Sequence, residues 1–123
     1  MNLEIQSIKY RSDIDEERIL LNVLENCNVG DYLIVLTKKI GDSISIKMEK
    51  GFWFPNKEVK KSDLVVLYTK KGRMSEKDLS NGRKSHFFYW DQTQPLFEPI
   101  PENPEMERTG AVLFEAKINN AME

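Results

Sequence analysis

The run from Phe52 to Lys70 constrains the fold more than any other part of the sequence. Phe52-Trp53-Phe54 is a β-prone aromatic triplet that stops at Pro55, which lacks the N–H a continuing ladder would need. Asn56 to Ser62 is short and polar, and Asp63 to Lys70 then crosses back as the most apolar, β-branched run of the chain. Two strands joined by a turn set an all-β expectation, with the second strand central. No catalytic constellation accompanies them.

The same alternation recurs on either side. Leu3 to Tyr10 reads as an opening strand whose parity slips at Ile8, as a β-bulge or a bend would produce. Arg11 to Glu17 is a polar, acidic loop, and in Arg18 to Leu24 the residues Ile19, Leu21 and Val23 share one face. Asp13 to Leu24 also reads as a helix, because Asp-Ile-Asp-Glu-Glu-Arg suits a helix N-terminus. The turn formers from Glu25 to Asp31, and the strand Tyr32 to Lys38 after them, favour the extended reading. A turn about Gly41 leads to Ser43–Met48, where Ile44, Ile46 and Met48 are expected to point inward.

Lys71 to Ser85 is polar and glycine-punctuated, a mobile surface loop by this reading, and His86 to Trp90 is an aromatic strand. Pro95, Pro99, Pro101 and Pro104 exclude a regular element and suggest a structured, extended loop. Gly110 to Ile118 closes a single domain over residues 1–123, with its core over about 3–118. About seven to nine short, mainly antiparallel strands fit an immunoglobulin-like β-sandwich better than any α/β scheme.

Composition narrows the setting. The 123 residues carry 18 basic against 20 acidic side chains, a net charge of −2 that exerts no general pull on nucleic acid or anionic lipid. Cys27 is alone, so no intrachain disulfide forms, which fits a reducing compartment. Met1 to Tyr10 has no apolar signal-peptide core, and no run approaches the roughly 20 apolar residues of a membrane span. A cytoplasmic protein without a cofactor is expected.

In order and spacing the segments resemble the bacterial lamin-tail-type domain, an immunoglobulin-like fold. Glu17-Arg18-Ile19-Leu20-Leu21-Asn22 and Gly30-Asp31-Tyr32-Leu33-Ile34 stand where that family has a Glu-x-Val-x-Ile-x-Asn strand and a Gly-Trp-x-Leu strand. Phe52-Trp53-Phe54-Pro55, the turn Val59-Lys60-Lys61-Ser62 and Leu64-Val65-Val66-Leu67-Tyr68 follow its aromatic-x-Phe-Pro, Leu-x-x-Gly and Val-x-Val segments. Tyr89-Trp90 and Gly110-Ala111-Val112-Leu113-Phe114 mirror its last two. The chain departs at Tyr32, where the family has Trp, and at Ser62-Asp63, where a glycine is customary. Pro95 to Pro101 replaces an acidic turn, so any ligand role of that turn is lost. The resemblance implies a binding or scaffolding module without activity of its own.

Candidate sites follow from chemistry. Alternation puts two of Phe87, Phe88, Tyr89 and Trp90 on each face of their strand, so one pair covers a second surface while most other aromatics fill a core. Tyr89, Trp90, Phe97 and Ile100 are the expected contacts for a protein partner or a second copy, with the prolines holding the loop preorganised. An exposed edge strand offers a second route. The alternative is a nucleic-acid accessory role for the basic hairpin Lys57–Lys84, using Lys71, Arg73, Arg83 and Lys84.

His86, the only histidine, is read as a structural strand-end residue; a pocket joining it to a carboxylate such as Asp91 or Glu98 would be needed to suggest catalysis. Asn26 and Asn28 supply no positive charge to activate Cys27. The acidic stretches Asp13–Glu17 and Glu102–Glu107 lack the spacing of a calcium loop.

Overall fold

The computed structural model describes residues 1–45 and 50–116. Their strands are β1 (Leu3–Lys9), β2 (Arg18–Val23), β3 (Cys27–Asn28), β4 (Tyr32–Ile40), β5 (Ser43–Ile44) and β6 (Gly51–Trp53). They continue with β7 (Glu58–Val59), β8 (Leu64–Tyr68), β9 (Ser75–Asp78), β10 (Lys84–Tyr89) and β11 (Arg108–Glu115). Two single 3-10 turns, Val29–Asp31 and Ser80–Gly82, are the only helical pieces among the described residues. None of them is long and apolar enough to cross a membrane. The protein is all-β.

One sheet runs β1-β2-β8-β10-β9 and a second runs β11-β4-β5, with β6 also paired to β4; β3 and β7 form a small third pair. Inward residues of the two larger sheets share one apolar cluster. Ile19, Leu21 and Val23 of β2 are all at most 3% exposed, which the two-residue period of a strand explains and a helix would not. The parity slip of β1 is a β-bulge: register shifts between Ile5 and Ser7, leaving Gln6 as the extra residue. β8 is central, as its sequence implies.

Aromatic rings fill the space between the sheets. Phe54 meets Phe88 edge-on at 5.1 Å, and Phe52 meets Phe54 at 5.2 Å and Trp90 at 5.5 Å. Such contacts add about 0.5–1.5 kcal/mol each beyond the area they bury.

Two expectations need correction. Lys71 to Ser85 is not all loop: Ser75–Asp78 pairs antiparallel with β10, which itself begins at Lys84. Ser-Glu-Lys-Asp has neither the propensity nor the alternation of a strand, so its extended form comes from pairing with β10. β10 in turn pairs parallel with β8, an arrangement made possible because β9 lies in the crossover between them. Ile44 is 53% exposed and does not point inward, since β5 is a two-residue piece at the end of its sheet path. Ile46, Met48 and the last residues of the expected closing strand lie outside the described residues.

Candidate functional site

The alternation of β10 resolves the aromatic quartet. Phe88 and Trp90 face the core at 1% and 8% exposure, while Phe87 and Tyr89 are half-buried on the outer face of the five-stranded sheet. There Tyr68 of β8 stacks on Tyr89 at 5.4 Å and 10°, and lies 6.3 Å from Phe87. The guanidinium of Arg18 and the ammonium of Lys70 lie within 5.5 Å of the Tyr68 ring centre. Gly72 packs so closely on Tyr89 that a Cβ there would overlap the ring. The faces of Tyr68 and Tyr89 are therefore largely engaged by one another, by Gly72 and by two cations.

The proline loop is held as structure over its first half. Glu17 is fully buried, and its carboxylate accepts from the Ser12 N–H, the Thr69 hydroxyl (2.6 Å), and the Leu96 and Phe97 N–H groups. Phe97 is 1% exposed, and Arg11 lies 5.3 Å from its ring centre. Burial thus removes Phe97 and Trp90 from any contact surface of the folded domain. Ile100, at 66% exposure, and the half-buried Tyr89 are the expected contacts that reach the surface. They lie on different parts of it. In the sequence Glu17 reads as a member of an acidic loop and as the first residue of the lamin-tail-like strand motif; no local pattern marks a carboxylate whose donors come from three separate segments.

His86 is 3% exposed, and its Nε2 lies 2.8 Å from Asp63 Oδ2. The Asp63 carboxylate also accepts the Lys60 and Lys84 N–H groups. Burial pushes the Asp63 carboxyl up, but these hydrogen bonds outweigh it and hold the group below its ordinary value. An ionised Asp63 can only accept, so in this pair Nε2 donates to a carboxylate that also takes two backbone N–H groups. Nδ1 has no hydrogen bond among the described residues and sits 3.5 Å from Glu76 Oε2, a carboxylate also held by Lys57 and Lys84.

The surrounding cleft, about 250 Å³, is lined by lysines, carboxylates, Gly82 and His86, with no hydroxyl or thiol among the described residues that line it. A histidine–carboxylate pair does form, with Asp63 rather than Asp91 or Glu98, and its geometry fastens β10 to the turn before β8. Among the described residues no group of three or more His, Cys, Asp or Glu is placed to hold a metal ion. Burial, with acidic neighbours adding, raises the Cys27 thiol pKa and leaves it a poor nucleophile.

The four basic residues do not converge. Lys71 and Arg73 precede β9, whereas Arg83 and Lys84 follow it, and Lys84 is engaged by Glu76.

The edge of β11 is built differently. Thr109 turns its backbone away from β4: its N–H donates to the Glu98 carboxylate, which also takes its hydroxyl, and its C=O accepts Arg11 Nη1 at 3.1 Å. Burial of the Glu98 carboxyl raises its pKa, but these bonds from Thr109 help hold it below the usual range. Because backbone direction alternates along a strand, Ala111 and Leu113 also present their N–H and C=O outward. Their partners on β4 agree, since Leu36, opposite Ala111, donates away from β11 to the Lys50 carbonyl.

Two grooves meet over this edge. One, about 540 Å³, is lined by Met1, Leu3, Ile5, Leu24 and Leu113, with Glu4 at its side. The other, about 310 Å³, holds Ile8, Ile44 and Ile100 together with the cations Arg11, Lys39 and Arg108. Ala111 and Val112 line both.

No protein-family model matches this chain, and no curated protein matches it.

Proposed function

We propose that the protein is a non-enzymatic interaction domain that binds a protein partner as an added β-strand along the edge of β11. The observation that carries this reading is the pair Ala111 and Leu113, whose outward backbone groups lie beside an apolar groove, with Ala111 also lining a second groove of isoleucines and cations. An extended segment gains ladder hydrogen bonds from the edge and side-chain burial from the groove. An apolar edge left without such use is a hazard that proteins blunt with charge, bulges or cover.

We further infer an immunoglobulin-like sandwich of lamin-tail type. The shared core of the two larger sheets supports it, and so does Ser62, whose φ of 75° falls in the left-handed region at the place where that family has glycine. The lone Cys27 suits a cytoplasmic setting.

Selection of a displayed random peptide library on the protein, followed by amide chemical-shift mapping of the selected peptides, tests the reading. Shifts centred on residues 110–114 are expected. Selected peptides that map to the Tyr68–Tyr89 face, or to β9, would overturn it.

A further inference from the structure

The β11 edge has a direction and a closed end. Resting on the strand-addition reading, we propose that it receives the free C-terminus of an extended peptide, antiparallel to β11, with the α-carboxylate among Arg108, Lys39 and Arg11.

Antiparallel pairing gives straight hydrogen bonds and is slightly the more stable arrangement per residue. A segment laid down this way passes Leu113 first, then Ala111, and next meets Thr109. There the ladder cannot continue, because the N–H and C=O of Thr109 already belong to Glu98 and Arg11. The open stretch from Leu113 to Ala111 is roughly 7 Å at about 3.3 Å per residue, enough for the last few residues of a chain. An internal segment would have to turn away at this point, whereas a terminus simply ends.

Charge at the closed end favours a terminus as well. Arg11, Lys39 and Arg108 line the groove there, and among the described residues no carboxylate lines it with them. Arg11 is partly committed: its Nη1 holds the Glu98 and Thr109 carbonyls. Burial lowers its pKa first, and among its neighbours Arg108 lowers it further against the opposing pull of Glu98. Arg108 and Lys39 make no ion pair among the described residues. A carboxylate between them would take charge-assisted hydrogen bonds and relieve repulsion between the Arg11 and Arg108 guanidinium groups. Ile8, Ile44 and Ile100 line the same groove, so an apolar final side chain fits beside the carboxylate.

The test uses the labelled peptide Ser-Val-Ser-Val-Ser-Val with a free C-terminus, and the same peptide as its C-terminal amide, titrated by fluorescence anisotropy. The free acid is expected to bind at least about tenfold more tightly. Arg108→Gln combined with Lys39→Gln should bring the acid down to the amide while leaving the melting temperature unchanged. Equal binding of acid and amide, with shifts still at Ala111 and Leu113, would overturn the carboxylate proposal and leave strand addition standing. Failure of both peptides to bind, at concentrations where library-selected peptides do, would also overturn it. If nothing binds this edge, strand addition falls too. Self-association of the free protein through β11, abolished by Val112→Lys, would overturn the proposal in favour of a second copy.

Discussion

The five-stranded sheet runs from β1 at one edge to β9 at the other, and β11 is an edge of the second sheet; the β9 and β11 edges are closed to different degrees. β9 is Ser-Glu-Lys-Asp, exposed throughout, with Glu76 engaging Lys57 and Lys84. It offers a would-be partner strand charge. β11 carries Ala-Val-Leu-Phe, is capped by Glu98 and Arg11 at Thr109, and lies beside two grooves. Edge strands rich in charge resist pairing, and apolar ones invite it. A buried carboxylate stands behind each edge: Glu17 holds the loop that caps β11, and Asp63 holds the start of β10, on which β9 pairs. The difference between the edges therefore lies in the strands themselves and not in how firmly they are mounted.

The largest effect should come from Glu17. Replacing it with alanine strands the Ser12, Leu96 and Phe97 N–H groups and the Thr69 hydroxyl, and should cost about 3 kcal/mol or more in urea unfolding. It should also loosen the cap at Thr109, so the difference between capped and open parts of β11 should shrink in hydrogen exchange. A loss under about 1 kcal/mol would show that the carboxylate is not the hub of this loop.

Next in size is Asp63, whose effect depends on pH. Its folded pKa lies below its unfolded one, so its stabilisation is complete above the unfolded value of about 3.9. That stabilisation is lost as pH falls through the folded pKa. Asp63→Asn should lower stability at neutral pH and flatten this part of the acid limb, with β9 amides exchanging faster than those of β11. Parallel acid limbs for Asp63→Asn and the parent would contradict the assignment.

A smaller change separates packing from binding. Gly72→Ala forces the Tyr89 ring to move and should cost about 1–3 kcal/mol, while peptide binding at β11 stays unchanged. Loss of peptide binding in Gly72→Ala would instead tie the aromatic face to the site. Smallest of all, Lys77→Gln on the exposed β9 should alter stability by less than about 0.5 kcal/mol.

Much of this architecture is legible in the sequence because it rests on local period. Ile19, Leu21 and Val23 announce their buried face, the slip at Ile8 announces the bulge, and Phe87 to Trp90 must divide between two faces. What is not legible is what depends on partners distant in the chain. Ser75–Asp78 is a strand only because β10 lies beside it. Phe97 reads as a loop aromatic until Glu17, 80 residues away, takes its N–H and draws the loop inward. The β11 edge was foreseen only in kind: which strand stays open, and where its ladder closes, depends on Arg11 and Glu98 meeting at Thr109.

The most direct measurement is amide hydrogen exchange across β11, by NMR, with and without the free-acid peptide. In the free protein Ala111 and Leu113 should exchange much faster than Gly110 and Val112, whose backbones face β4, and the peptide should selectively protect those two amides. Uniform protection along β11 before peptide is added, or protection appearing at β9 instead, would contradict an open, strand-accepting edge.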